Sequence, residues 1–399
     1  MGQSKNKNRG DTIMYRIGKE ELEAIQRVFE SKYLFRINSP LKEADQFEKE
    51  WADLIGSKYC LALSGGTNAL VCALVGMEIG PGDEVIIPAY TFMATAIAVL
   101  AVGAVPVIAD VDESLTLDCT DVRRKISKHT ACIIPVHING FPCNMDEILC
   151  IAKEYNLKVL EDACQADGGS YHDRRLGSMG TAGAFSFNHF KILSAGEGGA
   201  LVTDDRKVFE RALIYHDGGT AFRPYAKELS VPIFTGNQHR ISEITGAILR
   251  VQQSRLEGIL HDLRAHKNQL ISSVALNPIF SHDSKGDCGT TAAFVFPTTA
   301  EAQAFCKATD GLYWLPIFSD KHVFKNWEPL YTKLGGQNDF YNPYKMEANK
   351  SLALDFKTED YAQSLDYMGR IACISINPDW TEAELAKVIE TTNTAGKSV

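Results

Sequence analysis

A lysine and an aspartate upstream of it concentrate the chemistry of this chain. Lys191 lies in Ser186-Phe187-Asn188-His189-Phe190-Lys191, ahead of the glycine-rich turn Gly196-Glu197-Gly198-Gly199. Asp162 lies in Glu161-Asp162-Ala163-Cys164-Gln165-Ala166. An amine held near a low-dielectric site loses its proton readily and can condense with a carbonyl. A carboxylate aimed into a cleft can form a charge-assisted bond to a protonated pyridine nitrogen. A third motif, Ser64-Gly65-Gly66-Thr67, follows a strand pattern and opens a helix. Its backbone N–H groups and the Thr67 hydroxyl can hold a phosphate without a basic side chain. Amine, carboxylate and phosphate cradle together are what pyridoxal phosphate requires.

Each motif alone also has an ordinary reading. A Gly-Gly turn before a threonine is common, Asp162 could be a helix N-cap or surface acid, and Lys191 could be a solvated charge. Gln165 could meet a ring hydroxyl or simply be hydrated. Their order along the chain favours chemistry, because each follows a predicted strand. In an open α/β sheet, ligands gather outside the carboxyl ends of the strands.

The elements that must position them are legible between residues 58 and 203, where short β-rich runs alternate with helical patterns. This predicts an α/β fold with about seven strands in a mainly parallel sheet covered on both faces. The strands are expected at 59–63, 84–88, 105–109, 131–136, 157–160, 183–187 and 199–203, with crossover helices at 67–77, 91–102 and 145–155. Ile79-Gly80-Pro81-Gly82-Asp83 reads as the turn closing the first of these helices. A long helical pattern at 240–266 leads out of the sheet region. Beyond it, short strands at 293–296 and 372–376 mix with helices, the last opened by the capping box Thr381-Glu382-Ala383-Glu384. Residues 324–358 read as an elaborated loop and helix region. The expected division is a flexible tail at 1–14, a large α/β domain at 15–265 and a smaller C-terminal α+β domain at 266–399.

Composition narrows the function. A chain of 399 residues, 45% hydrophobic, can bury a sizeable core. Its net charge of −9 leaves no electrostatic footprint for nucleic acid, and no basic cluster or helix-turn-helix pattern compensates. The polar first dozen residues do not read as a signal peptide, and apolar runs such as 99–108 are too short to span a bilayer, so a soluble protein is expected. Ten cysteines are scattered without a CxxC pair, which fits free thiols in a reducing cytoplasm. No metal site is expected. Cys164 could be a nucleophile, but no histidine at a recognisable spacing supports that, and a structural thiol is favoured.

With these motifs in view, the chain resembles the DegT/DnrJ family of sugar aminotransferases, pyridoxal phosphate enzymes of fold type I. The resemblance runs from about Tyr15 to about Ile389. It includes Ser64-Gly65-Gly66-Thr67-Asn68-Ala69-Leu70, Gly80-Pro81-Gly82-Asp83-Glu84-Val85, Pro88-Ala89-Tyr90-Thr91-Phe92, the Asp162 motif, Gly177-Ser178 and the Lys191 region. It implies that Gly66, Thr67 and Ser186 hold the cofactor phosphate and that Phe92 stacks on its ring. It further implies that Asp162 pairs with the ring nitrogen, that Gln165 lies near the ring oxygen, and that Lys191 forms the Schiff base and moves the proton. A homodimer with sites at its interface is implied as well.

Two positions depart from the family pattern. Gln238-His239-Arg240 stands where members commonly carry Asn-Tyr-Arg or Asn-Phe-Arg reaching toward the neighbour's phosphate, and Asn237 lies beside Gln238. Asp167 stands where many members carry histidine after Gln-Ala. Relatives that are sugar dehydratases have histidine in place of the lysine. Here Lys191 is present, and His189 is assigned to packing near it.

The implied activity moves an amino group from an amino acid, glutamate by resemblance, to a keto sugar, first a nucleotide-linked deoxy keto sugar for surface polysaccharide. The segments Tyr313-Trp314, Lys325-Asn326-Trp327, Trp380-Thr381 and Phe35-Arg36-Ile37-Asn38 look similar to a branch that aminates an 8-oxo octulosonate (Kdo-type) sugar of lipopolysaccharide. On that alternative Arg36 would meet a substrate carboxylate. Further alternatives are a pyridoxal phosphate-dependent dehydratase and a non-catalytic regulator that binds the cofactor.

Overall fold

The computed structural model describes residues 14–352, 355 and 357–398. The expected tail at 1–14 lies outside the described residues except for Met14, which is partly buried against the core. Two helices, α1 (Lys19–Ser31) and α2 (Glu43–Ile55), precede the sheet. The chain then runs β1 (Tyr59–Leu63), α3 (Gly66–Gly76), β2 (Glu84–Pro88), α4 (Ala94–Ala101), β3 (Val105–Ala109), α5 (Cys119–Lys125), β4 (Thr130–Ile133), α6 (Met145–Tyr155) and β5 (Lys158–Asp162). A short hairpin, β6 (Ser170–Tyr171) and β7 (Arg174–Arg175), leads to β8 (Ala182–Ser186), β9 (Gly199–Thr203), α7 (Arg206–His216) and the long α8 (Glu243–Ser272). The C-terminal part contains β10 (Thr291–Val295), α9 (Thr299–Ala308), α10 (Glu328–Tyr331), α11 (Ala362–Arg370), β11 (Ile371–Ser375) and α12 (Glu382–Gly396).

The main sheet has seven strands in the order β1-β9-β8-β5-β4-β2-β3. Only β9 opposes the others, pairing antiparallel with both β1 and β8, while β8, β5, β4, β2 and β3 pair in parallel. Alternation along the strands feeds two core layers. Cys60, Ala62, Ile86, Val159, Phe185, Ala200 and Val202 face one layer, completed by Phe47, Trp51, Ile148, Leu249 and Leu256 from the helices. Leu61, Leu63, Val85, Ile87, Leu160, Ala184 and Leu201 face the other, completed by Leu70, Leu74, Val99 and Ala212. Burial on both faces explains why these strands read as apolar runs.

Several boundaries move for identifiable reasons. β4 stops at Ile133 because Pro135 has no N–H to donate, and Val136 makes only an isolated bridge to Asp162. α4 begins at Ala94, since the N–H groups of Thr91 and Met93 bond instead to the carbonyls of His322 and Lys321, each at 2.9 Å. α8 continues unbroken to Ser272, so residue 265 lies inside a helix. β10 and β11 pair antiparallel, and Ala292, Phe294, Ile374 and Leu385 join the same core layer as Phe47 and Leu256. The Thr381 capping box opens α12, and 324–352 is built of short turns around α10.

Candidate active site

Sheet register brings the candidate residues to one edge. Leu63 at the end of β1 pairs with Gly199 at the start of β9, and Gly199 pairs with Ser186 at the end of β8. Beside them, Asp162 at the end of β5 pairs with Ala184. The loop carrying Lys191 leaves β8 and returns as β9 at this edge, folded by turns such as Lys191 N–H to Asn188 carbonyl at 3.1 Å.

The N-terminus of α3 forms the cradle. Asp118, Asn144, Asp205, Ser242, Thr298 and Thr381 cap α5, α6, α7, α8, α9 and α12 with side-chain oxygens. α3 instead follows Gly65, which offers no side-chain cap, and has no acid in its first turn, so its first N–H groups have no side-chain acceptor. A Cβ on Gly66 would lie 2.7 Å from Ser186 Cβ, 2.9 Å from Cys164 Sγ and 3.2 Å from Ser186 Oγ. A Cβ on Gly199 would lie 2.5 Å from the carbonyl carbon of Gly65 and 2.8 Å from the Gly66 nitrogen. Glycine is required at both positions, and the Ser186 hydroxyl stands beside the uncapped helix start. A phosphate fits this arrangement.

Asp162 is 5% exposed, with its carboxylate fixed by two donors. Thr95 Oγ1 donates to Oδ2 at 2.8 Å, and the Cys164 N–H donates to Oδ1 at 3.2 Å. Behind it, Glu161 is completely buried and accepts from the N–H groups of Gly177, Met179 and Gly180 at 2.8, 2.6 and 2.6 Å. Cys143 N–H donates to Nδ1 of His137, so Nε2 carries the proton and donates to Glu161 Oε2 at 3.2 Å. This network anchors the strand end that presents Asp162. Gln165 accepts at Oε1 from the Asn139 N–H at 3.0 Å, which leaves its amide N–H groups as donors for a ring oxygen.

Phe92 is 38% exposed, with the His322 ring edge-on at 5.5 Å between centroids and Lys321 Nζ 5.7 Å from its own. Burial pushes the Cys164 thiol well above its ordinary value, reinforced by Asp162 and opposed by Lys191. A protonated thiol is a poor nucleophile, in keeping with the structural reading. All ten cysteines are free.

Gln238 stands apart from this cluster. Ser64 N–H donates to the His239 carbonyl at 2.8 Å, and Arg240 bridges to Leu63, so the segment runs beside the cradle loop of its own chain. The Gln238 side chain is exposed, and among the described residues no hydrogen bond joins it to Gly66 or Thr67. Asn237 turns its Oδ1 back onto the Gln238 N–H at 2.9 Å. Arg240 and Arg223 both grip the buried Asp217. His189 is exposed and meets the Tyr15 hydroxyl through Nδ1 at 3.0 Å.

The expectation for Arg36 is corrected. Its guanidinium is 7% exposed and bonds both oxygens of Glu48 and one of Asp45, each at 2.8 Å, so it is already neutralised away from solvent. Tyr313 and Trp327 are core residues at 2% and 0% exposure. Thr95 and Asn139 escaped the sequence reading. The four-residue spacing of Thr91 and Thr95, whose hydroxyls lie 2.8 Å apart, was the available signal for the first.

Residues 15–393 match the DegT/DnrJ/EryC1/StrS aminotransferase family. The chain belongs to that family. The cofactor of the family is pyridoxal phosphate, which the cradle, Asp162 and Lys191 fit. A spore coat polysaccharide biosynthesis protein, SpsC of Bacillus subtilis (strain 168), is 42% identical over 49% of this chain and 49% of its own length. A dTDP-3-amino-3,6-dideoxy-alpha-D-galactopyranose transaminase of Aneurinibacillus thermoaerophilus is 38% identical over 61% of this chain and 65% of its own. The chain thus spans between about half and two thirds of the length of these family relatives. The solved aminotransferase of Psychrobacter cryohalolentis shares the fold, with a TM-score of 0.78 at 23% identity over 96% of this chain and 98% of that one. Among the described residues, no helix is long and apolar enough to cross a membrane.

Proposed function

We propose that this protein is a pyridoxal phosphate-dependent sugar aminotransferase that moves an amino group from an amino acid, glutamate by family resemblance, to a nucleotide-linked deoxy keto sugar. The observation that carries the reading is the convergence of the uncapped start of α3, Asp162 and the Lys191 loop on one sheet edge. The relatives named above include a dTDP-sugar transaminase, which supports the acceptor class.

In this reading Gly66, Thr67 and Ser186 hold the phosphate, Phe92 covers the ring, Gln165 donates to its oxygen and Asp162 keeps its nitrogen protonated. When bound, pyridoxal phosphate supplies the electron sink for the carbon that loses a proton. Lys191 Nζ is the anchor and, once an incoming amine has replaced it, the base that takes that proton and returns it. Buried Asp162, held by Thr95, keeps its charge oriented throughout the exchange. The segment with Gln238 serves a partner's phosphate in a homodimer, and residues from about 266 onward make up a smaller C-terminal α+β unit. A location in the cytoplasm belongs to the same reading, supported by ten cysteines scattered without a CxxC pair.

An 8-oxo octulosonate acceptor has lost the support of Arg36, which is already paired. Lys191 itself favours transamination over the histidine-bearing dehydratases. The test is to load the protein with pyridoxamine phosphate and offer keto sugars. Return of the visible absorbance of the lysine-bound cofactor identifies the acceptor. No visible band in the protein with pyridoxal phosphate, or an unchanged band in Lys191→Ala, overturns the proposal.

A further inference from the structure

Three separate stretches of chain set the direction in which Gln165 points. Gln165 itself lies in a turn closed by the Ala166 N–H to the Ala163 carbonyl at 2.9 Å, and Asp167, two residues on, is wholly buried. The backbone here is fixed, and the rotation of the Gln165 side chain is what remains to be set. Asn139 sets it. A backbone N–H is only ever a donor, so the 3.0 Å contact with the Asn139 N–H assigns the facing Gln165 atom as Oε1 and turns Nε2 the other way.

Asn139 is itself held in a conformation that few residues adopt. Its φ of 55° and ψ of 21° are left-handed, a region that asparagine tolerates better than most side chains. Such a corner persists when its surroundings hold it. The hold comes from residues 288–290, immediately before β10. Thr290 Oγ1 donates to the Asn139 carbonyl, and the Cys288 N–H donates to the Gly140 carbonyl at 3.1 Å. A Cβ on Gly140 would lie 2.7 Å from Thr290 Oγ1 and 2.8 Å from Cys288 Cβ, so this close approach needs glycine. Thr290 is buried, and its carbonyl accepts from the Ile376 N–H at 2.9 Å, just past β11. Asn139 Nδ2 donates in turn to the Tyr90 hydroxyl at 3.4 Å.

We propose that Thr290 is a positioning residue for the donor at the cofactor's ring oxygen, acting through the Asn139 corner on Gln165. The contacts run from the Thr290 hydroxyl to the Asn139 carbonyl, and from the Asn139 N–H to Gln165 Oε1. Gln165 Nε2 is left as the donor. Thr290 thereby links the β10–β11 pair to the end of β5, and the amide is aimed through that link rather than by its own turn alone. This deepens the reading given above and rests on Gln165 and Lys191 having the roles stated there.

The experiment loads the protein with pyridoxal phosphate and follows its visible band against pH. A donor at the ring oxygen stabilises negative charge there and weakens that oxygen's hold on the proton carried by the lysine-bound nitrogen, so losing the donor raises the midpoint. Gln165→Leu is the benchmark, expected to raise it by about one pH unit, a tenfold change in proton affinity. Thr290→Val keeps the shape, removes the hydroxyl and should raise the midpoint by about half a unit or more. Thr290→Ser keeps the hydroxyl and should recover most of that shift. Added to Gln165→Leu, Thr290→Val should shift the midpoint no further, because both act on one donor. The titratable groups packed around the corner, Tyr90, His137, Glu161, Asp162, Asp167 and Cys288, are common to every variant, as is Lys191.

A Thr290→Val shift below about half a unit beside a shifted Gln165→Leu overturns the relay alone. So does a shift that adds in full to that of Gln165→Leu, or a Thr290→Ser midpoint that moves as far as that of Thr290→Val. Should Thr290→Val not fold, Thr290→Ala removes the same hydroxyl and is judged by the same midpoint. An unshifted Gln165→Leu overturns the role given to Gln165 and this inference with it, and a protein that shows no visible band overturns the cofactor assignment beneath both.

Discussion

The Thr95 hydroxyl donates to Oδ2 of Asp162 at 2.8 Å, tying the first turn of α4 to the end of β5 across the floor of the site. Removing this donor while keeping the shape of the side chain isolates its contribution. Thr95→Val is expected to weaken pyridoxal phosphate binding by roughly tenfold to a hundredfold, because a hydrogen bond to a buried charge contributes about 1.5–3 kcal/mol. Titrating the cofactor into the variant and following the visible band checks this, with circular dichroism confirming an unchanged fold.

Gly66→Ala forces a methyl group into Ser186 Cβ and Cys164 Sγ, at 2.7 and 2.9 Å. Overpacking of this kind costs about 1–3 kcal/mol, and the displaced start of α3 no longer aims its N–H groups at a phosphate. The variant should unfold at lower denaturant than the original protein and bind pyridoxal phosphate far more weakly. Pyridoxal, which lacks the phosphate, should discriminate between the two proteins much less.

Asp217 gives an acid-sensitive hold on the segment that carries Gln238. Burial opposes its ionisation, yet Arg223, the Gly219 N–H and Arg240 outweigh that effect and bring its pKa from 3.8 down to about 2. A depressed carboxyl contributes stability that is present above the unfolded value and is lost as the pH falls through about 2. Asp217→Asn removes on the order of 2 kcal/mol at neutral pH by this linkage. Denaturant midpoints of the two proteins should converge as the pH is lowered and separate again toward neutrality.

Asp167 has the opposite sign. Its folded value is raised, so its contribution is fully present below the ordinary value of 3.8 and disappears as the pH climbs through the folded value. Asp167→Asn escapes that loss and should gain stability relative to the original protein as the pH rises above the ordinary value of 3.8. Urea unfolding of the cofactor-free proteins across this range measures the difference, and parallel curves would count against a buried, proton-holding acid.

The strands β1, β2, β3 and β9 could be read end to end because both of their faces are buried and turn residues bracket them. Errors arose where tertiary contacts override local pattern. Thr91 and Phe92 look helical in sequence, but segment 321–322 captures their neighbouring N–H groups. Arg36 looked available for a ligand because its partners Asp45 and Glu48 follow it on a separate helix, and nothing in the local pattern announces that α2 folds back over it. The meeting of the Lys191 loop, Asp162 and Gly66 at one sheet edge was legible because each sits in a motif at a strand end. The burial of Asp167 was not, since an aspartate after Gln-Ala looks no different in sequence from a hydrated one.

The single reversed strand β9 decides how the site comes together. β8 and β9 are neighbours in sequence as well as in the sheet, so the lysine rides on a local hairpin. Asp162 arrives on β5, just upstream of that hairpin, whereas the cradle follows β1, which is separated from it by a long stretch of chain. The hairpin can form early, whereas the cradle meets it only after distant segments have collapsed together. Retention of pyridoxal phosphate thus reports on late folding, and its colour during refolding would serve as a clock for completion of the sheet.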